Sequence, residues 1–290
     1  MIGADDYQLL SALLLEHSGL SLGPGKEYLL ESRLPAVAQA HGMGSLAELI
    51  RALRAQPHQQ LLKAVCDAMT TGETLFFRDA APFELLRTTI FPALIAKSRA
   101  RGTPIRIWSA AASTGQEAYS VAMLIAEMER DFAGVPVEML ATDYAAAQIN
   151  RARRGVYNAI EVQRGLPEPL LRKYFTRIGD EYRISDALRA RVTFQEFNLL
   201  DTYTGFGRFD IILCRNVLIY FDRTRKKDIM ERMADLLMPG GYFFLGGTET
   251  SFGVTDRIVR VPDLPTSVHV RREDIDPARL VPPTQPAIVR

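Results

Sequence analysis

An α/β protein with a helical N-terminal unit is predicted by three features of the 290-residue sequence. Residues 5–66 carry apolar side chains at helical spacing and contain no strand candidate. From Pro104 onward, short apolar runs alternate with helical patterns, as in a parallel sheet with helices on both faces. Between them "ETLFFRDAAPFELLRTTIFPALIAKSRARG" reads as a connector of one or two helices. The length suits two modest domains, each with its own core. The expected boundaries are 1–75 for the helical domain, 76–103 for the connector and 104–273 for the sheet domain. A small β insertion is expected at about 175–195, and a proline-rich, poorly ordered tail over 274–290.

The elements follow in order. "DDYQLLSALLLEHSGL" is a helix stopped by Gly19 as C-cap. "KEYLLESRLPAVAQAHGMG" is a second, and "SLAELIRALRA" a third that opens on Ser45 with Glu48 three residues later, a capping box. "QQLLKAVCDAMTTGE" closes the group. In the sheet domain "IRIWSA" and "VEMLATD" are strands, followed by the helices "QEAYSVAMLIAEMERD" and "YAAAQINRARRG". Gly155–Arg191 is irregular, and its "DEYRIS" is a candidate strand of the insertion. "RFDIILCRNVLIYF" holds a third strand, "RTRKKDIMERMADLLMPGG" a helix with a Pro-Gly-Gly stop, and "YFFLGG" and "TSVHVRR" finish the sheet.

A formal net charge of +1 gives no electrostatic footprint for nucleic acid or an anionic membrane. Cys66 and Cys214 lie too far apart for a CxxC site and are read as buried, reduced thiols. No apolar run reaches transmembrane length, and "MIGADDYQLL" is acidic where a signal peptide is basic. The expectation is a cytoplasmic protein without membrane insertion.

Ligands of open α/β sheets sit at the carboxyl ends of the strands, near the switch in strand order. Three segments end there. "SAAASTG" lacks the glycine spacing that lets backbone approach a pyrophosphate, which counts against a dinucleotide. Asp143, ending "VEMLATD", is placed to accept hydrogen bonds from ribose hydroxyls, although Asp is equally a helix N-cap. Arg215-Asn216 end an otherwise apolar strand, where they are costly to bury unless they meet a ligand or partners, and Tyr220 follows. Asn198 of "FNLLD" stands at what reads as another strand end. An adenosine ligand without a pyrophosphate fits this set, and S-adenosylmethionine is such a ligand.

"TTGETLFFRD", "WSAAASTGQEAYS", "FNLLD" and "FDIILCRNVLIYFD", in this order and spacing, resemble the chemotaxis receptor glutamate methyltransferases, the CheR family. The likeness runs to about residue 272. It implies a Rossmann-like S-adenosylmethionine-dependent methyltransferase sheet with an N-terminal helical domain and a small inserted β subdomain. It implies S-adenosyl-L-methionine as donor, S-adenosyl-L-homocysteine as product, and glutamates on the cytoplasmic methylation helices of chemoreceptors as acceptors. By motif, Thr74, Arg78 and Glu117 would bind the methionyl end of the cofactor and Asp143 the ribose. Asn198, Leu199, Arg215 and Asn216 would line the adenosine and the reaction centre, with Tyr220 beside the transferring methyl. Tyr220 is assigned to positioning, and Arg78 to cofactor binding with access to substrate.

This sequence departs from the family pattern in places. Gly72 stands where Asn is usual, "QEAYS" replaces "EEPYS", and Gly247 of "GGTET" takes the place of a histidine. Relatives carry arginines along the second helix; here Arg33 remains, among Pro35 and Val37. Residues 1–80 hold six cations against nine acids, a net of −3, so steering towards acidic receptor helices is expected to be weak or confined to one face. The insertion is short, with "IGDE" as its turn signal, so docking on a C-terminal pentapeptide tether is not expected.

An ionised glutamate, with an ordinary pKa near ~4.3, needs no general base. The sequence agrees, with no Ser-His-Asp set and no HExxH motif: His17, His41, His58 and His269 are scattered and read as structural or surface residues. A methyltransferase acting on another protein, a small molecule or nucleic acid shares the sheet, as does a non-catalytic cofactor sensor or adaptor. "RNVLIYF" differs from the Asn/Asp-Pro-Pro-aromatic turn of DNA amino-methylating enzymes. Retention of Arg78, Glu117, Asp143, Asn216 and Tyr220 speaks against the sensor.

Overall fold

The structure is a computed structural model, and it describes residues 2–275. Most of the proline-rich tail expected over 274–290 lies outside the described residues.

Helices α1 (Ala4–Ser18), α2 (Glu27–Ala40), α3 (Leu46–Ala55) and α4 (Gln59–Met69) bury a shared core that includes Leu10, Leu14, Leu30, Leu34, Leu53 and Val65. Gly19 ends α1 at φ 74°, its N–H bonded to the Leu15 carbonyl. Any Cβ there would come within 2.4 Å of the Phe221 ring, so the same glycine lets the two domains close up. The expected capping box at Ser45 is half formed. Ser45 Oγ accepts from the Glu48 N–H at 3.2 Å, but the Glu48 carboxylate accepts from the Gly44 N–H at 2.8 Å, one residue earlier. Arg33 is half-buried and donates to the Met69 carbonyl at 2.8 Å, satisfying the carboxyl end of α4.

The connector is α5 (Ala81–Leu85), one π turn (Leu86–Ile90) and α6 (Phe91–Arg101), running on without a break. The π turn precedes Pro92, whose ring lacks an N–H and would crowd the carbonyl four residues back in a regular helix.

The sheet domain runs β1 (Ile105–Ala110), α7 (Gln116–Glu127), β2 (Val137–Asp143) and α8 (Ala146–Arg154). The insertion follows as β3 (Val156–Asn158), α9 (Ala159–Gln163), α10 (Glu168–Tyr174), β4 (Phe175–Ile178) and β5 (Glu181–Ile184). Next come α11 (Asp186–Arg189), β6 (Val192–Glu196), β7 (Phe209–Cys214), α12 (Arg223–Asp235), β8 (Leu237–Leu245), β9 (Ile258–Arg260) and β10 (Val268–Arg271). The main sheet has the order β6-β2-β1-β7-β8-β10-β9. It is parallel from β6 to β8, and β10 is antiparallel to both its neighbours. The chain therefore reverses direction across the sheet between β1 and β7, which puts the switch point over those two strand ends.

Three elements differ from the expectation. The small sheet, ordered β3-β5-β4, starts at Val156, while Val192–Glu196 pairs with β2 in the main sheet. Its strands thus span 156–184 rather than 175–195. Helix α12 stops at Asp235, and Leu237 already pairs with Phe209, because β8 needs that length to cover β7. The short strand β9 lies in a stretch without a clear pattern and was not foreseen.

One face of the sheet packs Tyr119, Phe194, Ile107 and Ile211 under α7 and α8; the other gathers Phe206, Phe209 and Tyr203 around the fully buried Trp108, under α12. Both cysteines are free and buried, and burial pushes both thiols above their usual pKa range. Among the described residues no helix is long and apolar enough to cross a membrane.

Candidate active site

The loop after β1 sets the geometry of the cleft. Ala111 (φ 57°) and Ser113 (φ 52°) take left-handed backbone, which costs a non-glycine residue roughly 1 kcal/mol each. Hydrogen bonds hold them there. The Asp143 carboxylate accepts from the Ser113 N–H at 2.8 Å and the Ala145 N–H at 3.0 Å. Ser113 Oγ donates to the Gly72 carbonyl at 2.6 Å, and the Ala112 N–H donates to the Thr142 carbonyl at 2.8 Å. Gly115 (φ 92°) starts α7 where a Cβ would press on Ala152 and Phe194 at 3.0–3.1 Å. Small residues are needed for clearance and a glycine only at this turn.

The segment Gly72–Asp79 crosses above. Phe76 is its anchor, fully buried edge-on against Tyr157 and Phe175. The Phe77 N–H donates to Ser120 Oγ at 2.9 Å. With both phenylalanines fixed, Arg78 and Asp79 are turned towards the strand ends. The Asp79 carboxylate meets Arg215 at 2.8 Å, and Glu117 meets the same guanidinium at 2.9 Å. Glu117 also accepts from Ser109 Oγ at 2.8 Å.

The cleft so bounded is lined by residues of both domains. All nine sequence-predicted residues, Thr74, Arg78, Glu117, Asp143, Asn198, Leu199, Arg215, Asn216 and Tyr220, stand on its wall. Their polar side chains differ in how far the fold itself engages them. Arg78, Thr74, Asn216 and Tyr220 have no side-chain hydrogen bond to the rest of the described residues. Arg215 and Asn198 are engaged within the protein. Arg215, 7% exposed, clamps Glu117, Asp79 and the Arg78 carbonyl together on the cleft's wall. The Asn198 amide donates to the His17 carbonyl at the end of α1 at 2.8 Å and accepts from the Leu200 N–H at 3.0 Å. It joins the two domains. Asp143 keeps its place at the β2 tip; burial pushes its pKa up, against the two N–H bonds that pull it down.

Two contributors lay outside the sequence reading. Glu249, 8% exposed, accepts from four backbone N–H groups: Asn216 and Gly246 at 2.7 Å, Val217 at 3.1 Å and Ile219 at 3.2 Å. It shapes the loop on which Asn216 (φ 58°) and Tyr220 stand. The signal was an acid inside "GGTET", but its partners are backbone groups that no pattern announces. The other is Gln148, whose carboxamide occupies the space beside Gly72: a Cβ on residue 72 would lie 2.3 Å from its Nε2. It brings an amide to the wall where residue 72 has no side chain.

The helical domain closes the cleft. Ser18, Leu20, Thr70 and Thr71 line it, the Ser21 N–H donates to the Tyr220 carbonyl at 2.9 Å, and Leu20 bridges Phe221. Lys63 fixes α4 to the tips of β2 and β6 through the Tyr144 carbonyl at 3.0 Å and Glu196 at 2.7 Å.

A switch-point cleft with an acid at the first helix, a second acid at the next strand tip and no pyrophosphate loop is the arrangement expected of an S-adenosylmethionine-dependent methyltransferase. Residues 72–263 match the family described as CheR methyltransferase, SAM binding domain, and residues 5–70 match the CheR methyltransferase, all-alpha domain. The chain belongs to the CheR methyltransferase family, and S-adenosylmethionine is its cofactor. It is 41% identical to the chemotaxis protein methyltransferase Cher2 of Pseudomonas putida over 268 residues, covering 91% of this chain and 97% of that one. It is 40% identical to chemotaxis protein methyltransferase 1 of Pseudomonas aeruginosa, with the same coverage of each. Among solved structures, PKMT2 from Rickettsia typhi aligns loosely, with a TM-score of 0.36 and 16% identity over 60% of this chain and 26% of that one.

The residues present fit the cofactor chemically. Glu117 offers a carboxylate for the methionyl ammonium, Asp143 acceptors for ribose hydroxyls, and Leu199, Val217 and Phe197 apolar wall for a base. No histidine lies on that wall.

Proposed function

We propose that the protein methylates glutamate side chains on the cytoplasmic methylation helices of chemoreceptors, leaving γ-glutamyl methyl esters in chemosensory adaptation. The observation that carries this reading is the pair of free hydrogen-bond donors, the Arg78 guanidinium and the Tyr220 hydroxyl, on a wall without a histidine. Such donors suit a nucleophile that arrives already ionised, as a carboxylate does at neutral pH.

When bound, S-adenosylmethionine supplies a methyl group on a positively charged sulfur. The protein's share is then alignment. Tyr220 orients the incoming carboxylate by one hydrogen bond, and Arg78 holds carboxylate charge at the mouth, on the cofactor's methionyl end or on the substrate. Held in line, the reacting groups gain the advantage of an intramolecular reaction. Leu20, Thr70 and Thr71 cover the cleft from the helical domain and exclude water from the nucleophile. Because charge on sulfur disappears as the methyl leaves, a further anion at the reaction centre would favour the ground state. Glu117 and Asp79 are both tied to Arg215, which offsets part of their negative charge.

The proposal places the enzyme in the cytoplasm and leaves out a pentapeptide tether. Strands β4 and β5 turn over Gly179-Asp180 in two residues, too short to present a docking loop. Calorimetry with a tether peptide would overturn that part by finding micromolar affinity. Incubation with methyl-labelled S-adenosylmethionine and receptor membranes tests the whole: base-labile label on receptor is expected, and label that survives base, or appears elsewhere, refutes the ester.

A further inference from the structure

The cleft opens beside the start of α12, and the surface there carries more than a solvated helix needs. Over residues 219–227 four cations, Arg223, Arg225, Lys226 and Lys227, accompany one acid, Asp222, a net of +3. The first turns of a helix are where its dipole disfavours cations. Little inside the fold requires them. Arg225 has Asp222 at 2.6 Å, but Lys227 reaches Glu231 only at 4.0 Å, and Arg223 bonds the Gly253 carbonyl rather than an acid. Lys226 has no partner among the described residues. Two large apolar side chains share the surface, Ile219 at 48% and Phe252 at 70% exposure. The Arg223–Gly253 bond, and Glu249 accepting the Ile219 N–H, hold their two segments side by side.

The helical domain has the opposite field, a net of −3 over residues 1–80, and three of its six cations are engaged. Arg33 caps α4, Arg54 pairs with Asp6 at 2.7 Å, and Lys63 pairs with Glu196 and Asp67.

Resting on the function proposed above, we infer that the methyl-accepting polypeptide docks on the α12 side of the cleft. The occupant is an acidic helical segment. Its apolar positions cover Ile219 and Phe252, its acids face Lys226, Lys227 and Arg223, and one carboxylate reaches the adjacent Tyr220. Charge complementarity selects this face, and the exposed apolar pair supplies the desolvated centre that a polar rim alone lacks.

The test is methyl transfer to a soluble cytoplasmic receptor fragment by the full chain carrying Lys226→Glu with Lys227→Glu, Phe252→Ser, or, on the helical domain, Arg51→Glu. The charge reversal is expected to lower kcat/KM at least about tenfold, chiefly through KM, and to flatten its salt dependence. Phe252→Ser is expected to lower it about fivefold, and Arg51→Glu less than about twofold. Calorimetric affinity for S-adenosylmethionine stays at the wild-type value in all three, which separates lost docking from lost folding. Wild-type kcat/KM and salt dependence in the charge reversal would overturn the inference. So would a loss confined to Arg51→Glu, which moves docking to the helical domain. A wild-type protein that loads no base-labile methyl on the fragment refutes the function itself, before any variant is compared.

Discussion

Arg215 and Glu117 meet 2.9 Å apart at the base of the cleft, their side chains 2% and 12% exposed, and the same guanidinium holds Asp79 at 2.8 Å. One buried cation thus ties three chain segments: the end of β7, the first turn of α7 and the crossing segment before α5. Removing one partner of a buried pair leaves the other charge uncompensated, at a cost of about 3 kcal/mol or more. Arg215→Ala is therefore expected to lower the urea midpoint and to weaken cofactor binding together, with Arg215→Lys recovering part of both. An unchanged midpoint in the alanine variant would show that the clamp is not structural.

Tyr220→Phe keeps the ring and its place on the loop and deletes one free donor. Loss of a single orienting hydrogen bond corresponds to about tenfold in turnover. Cofactor affinity by calorimetry should stay within about twofold; a large loss there would assign the hydroxyl to the cofactor instead.

Asp143→Ala removes acceptors from the Ser113 and Ala145 N–H groups as well as from a ribose. The strained loop loses its tie, so stability should fall by about 1–2 kcal/mol alongside cofactor affinity. Denaturation with and without S-adenosylhomocysteine separates the two effects. Loss of affinity at unaltered stability would mean that the loop holds its shape without Asp143.

Gln148→Ala empties the space beside Gly72 that the carboxamide now fills. A several-fold weaker cofactor affinity is expected. The double variant Gly72→Asn with Gln148→Ala should restore most of it by returning an amide to the wall. If the single variant binds as the wild type does, Gln148 is only a wall.

His269 is fully buried on β10, and burial, with Arg260 beside it, lowers its pKa to about 4. Below its unfolded value near 6.5 the unfolded chain takes up the proton first, so stability falls as pH drops from about 6.5 to about 4 and is unaffected above. His269→Phe should flatten that limb of a stability–pH curve. An unchanged acid limb would place the titration elsewhere.

What sequence alone determined was local or strongly patterned. The helical unit, the strands IRIWSA and VEMLATD, and the Gly19 stop follow from apolar spacing and backbone chemistry, which act within a few residues. Asp143, Asn198, Arg215, Asn216 and Tyr220 were legible because strand ends of an α/β sheet converge wherever the chain reverses, and Thr74, Arg78, Glu117 and Leu199 through the family resemblance. Which of those side chains would be free to act was decided by tertiary structure. Asn198, expected to line the adenosine, stands on the cleft wall and also holds α1, 181 residues away in sequence. Arg33 caps α4, and Arg215 became a clamp between two acids. Glu249 gained its place from backbone N–H groups about 30 residues upstream. Each of these is a long-range satisfaction of a buried polar group, and the partner that satisfies it depends on which segments the fold brings within about 3 Å, a distance that periodicity and motif spacing do not encode.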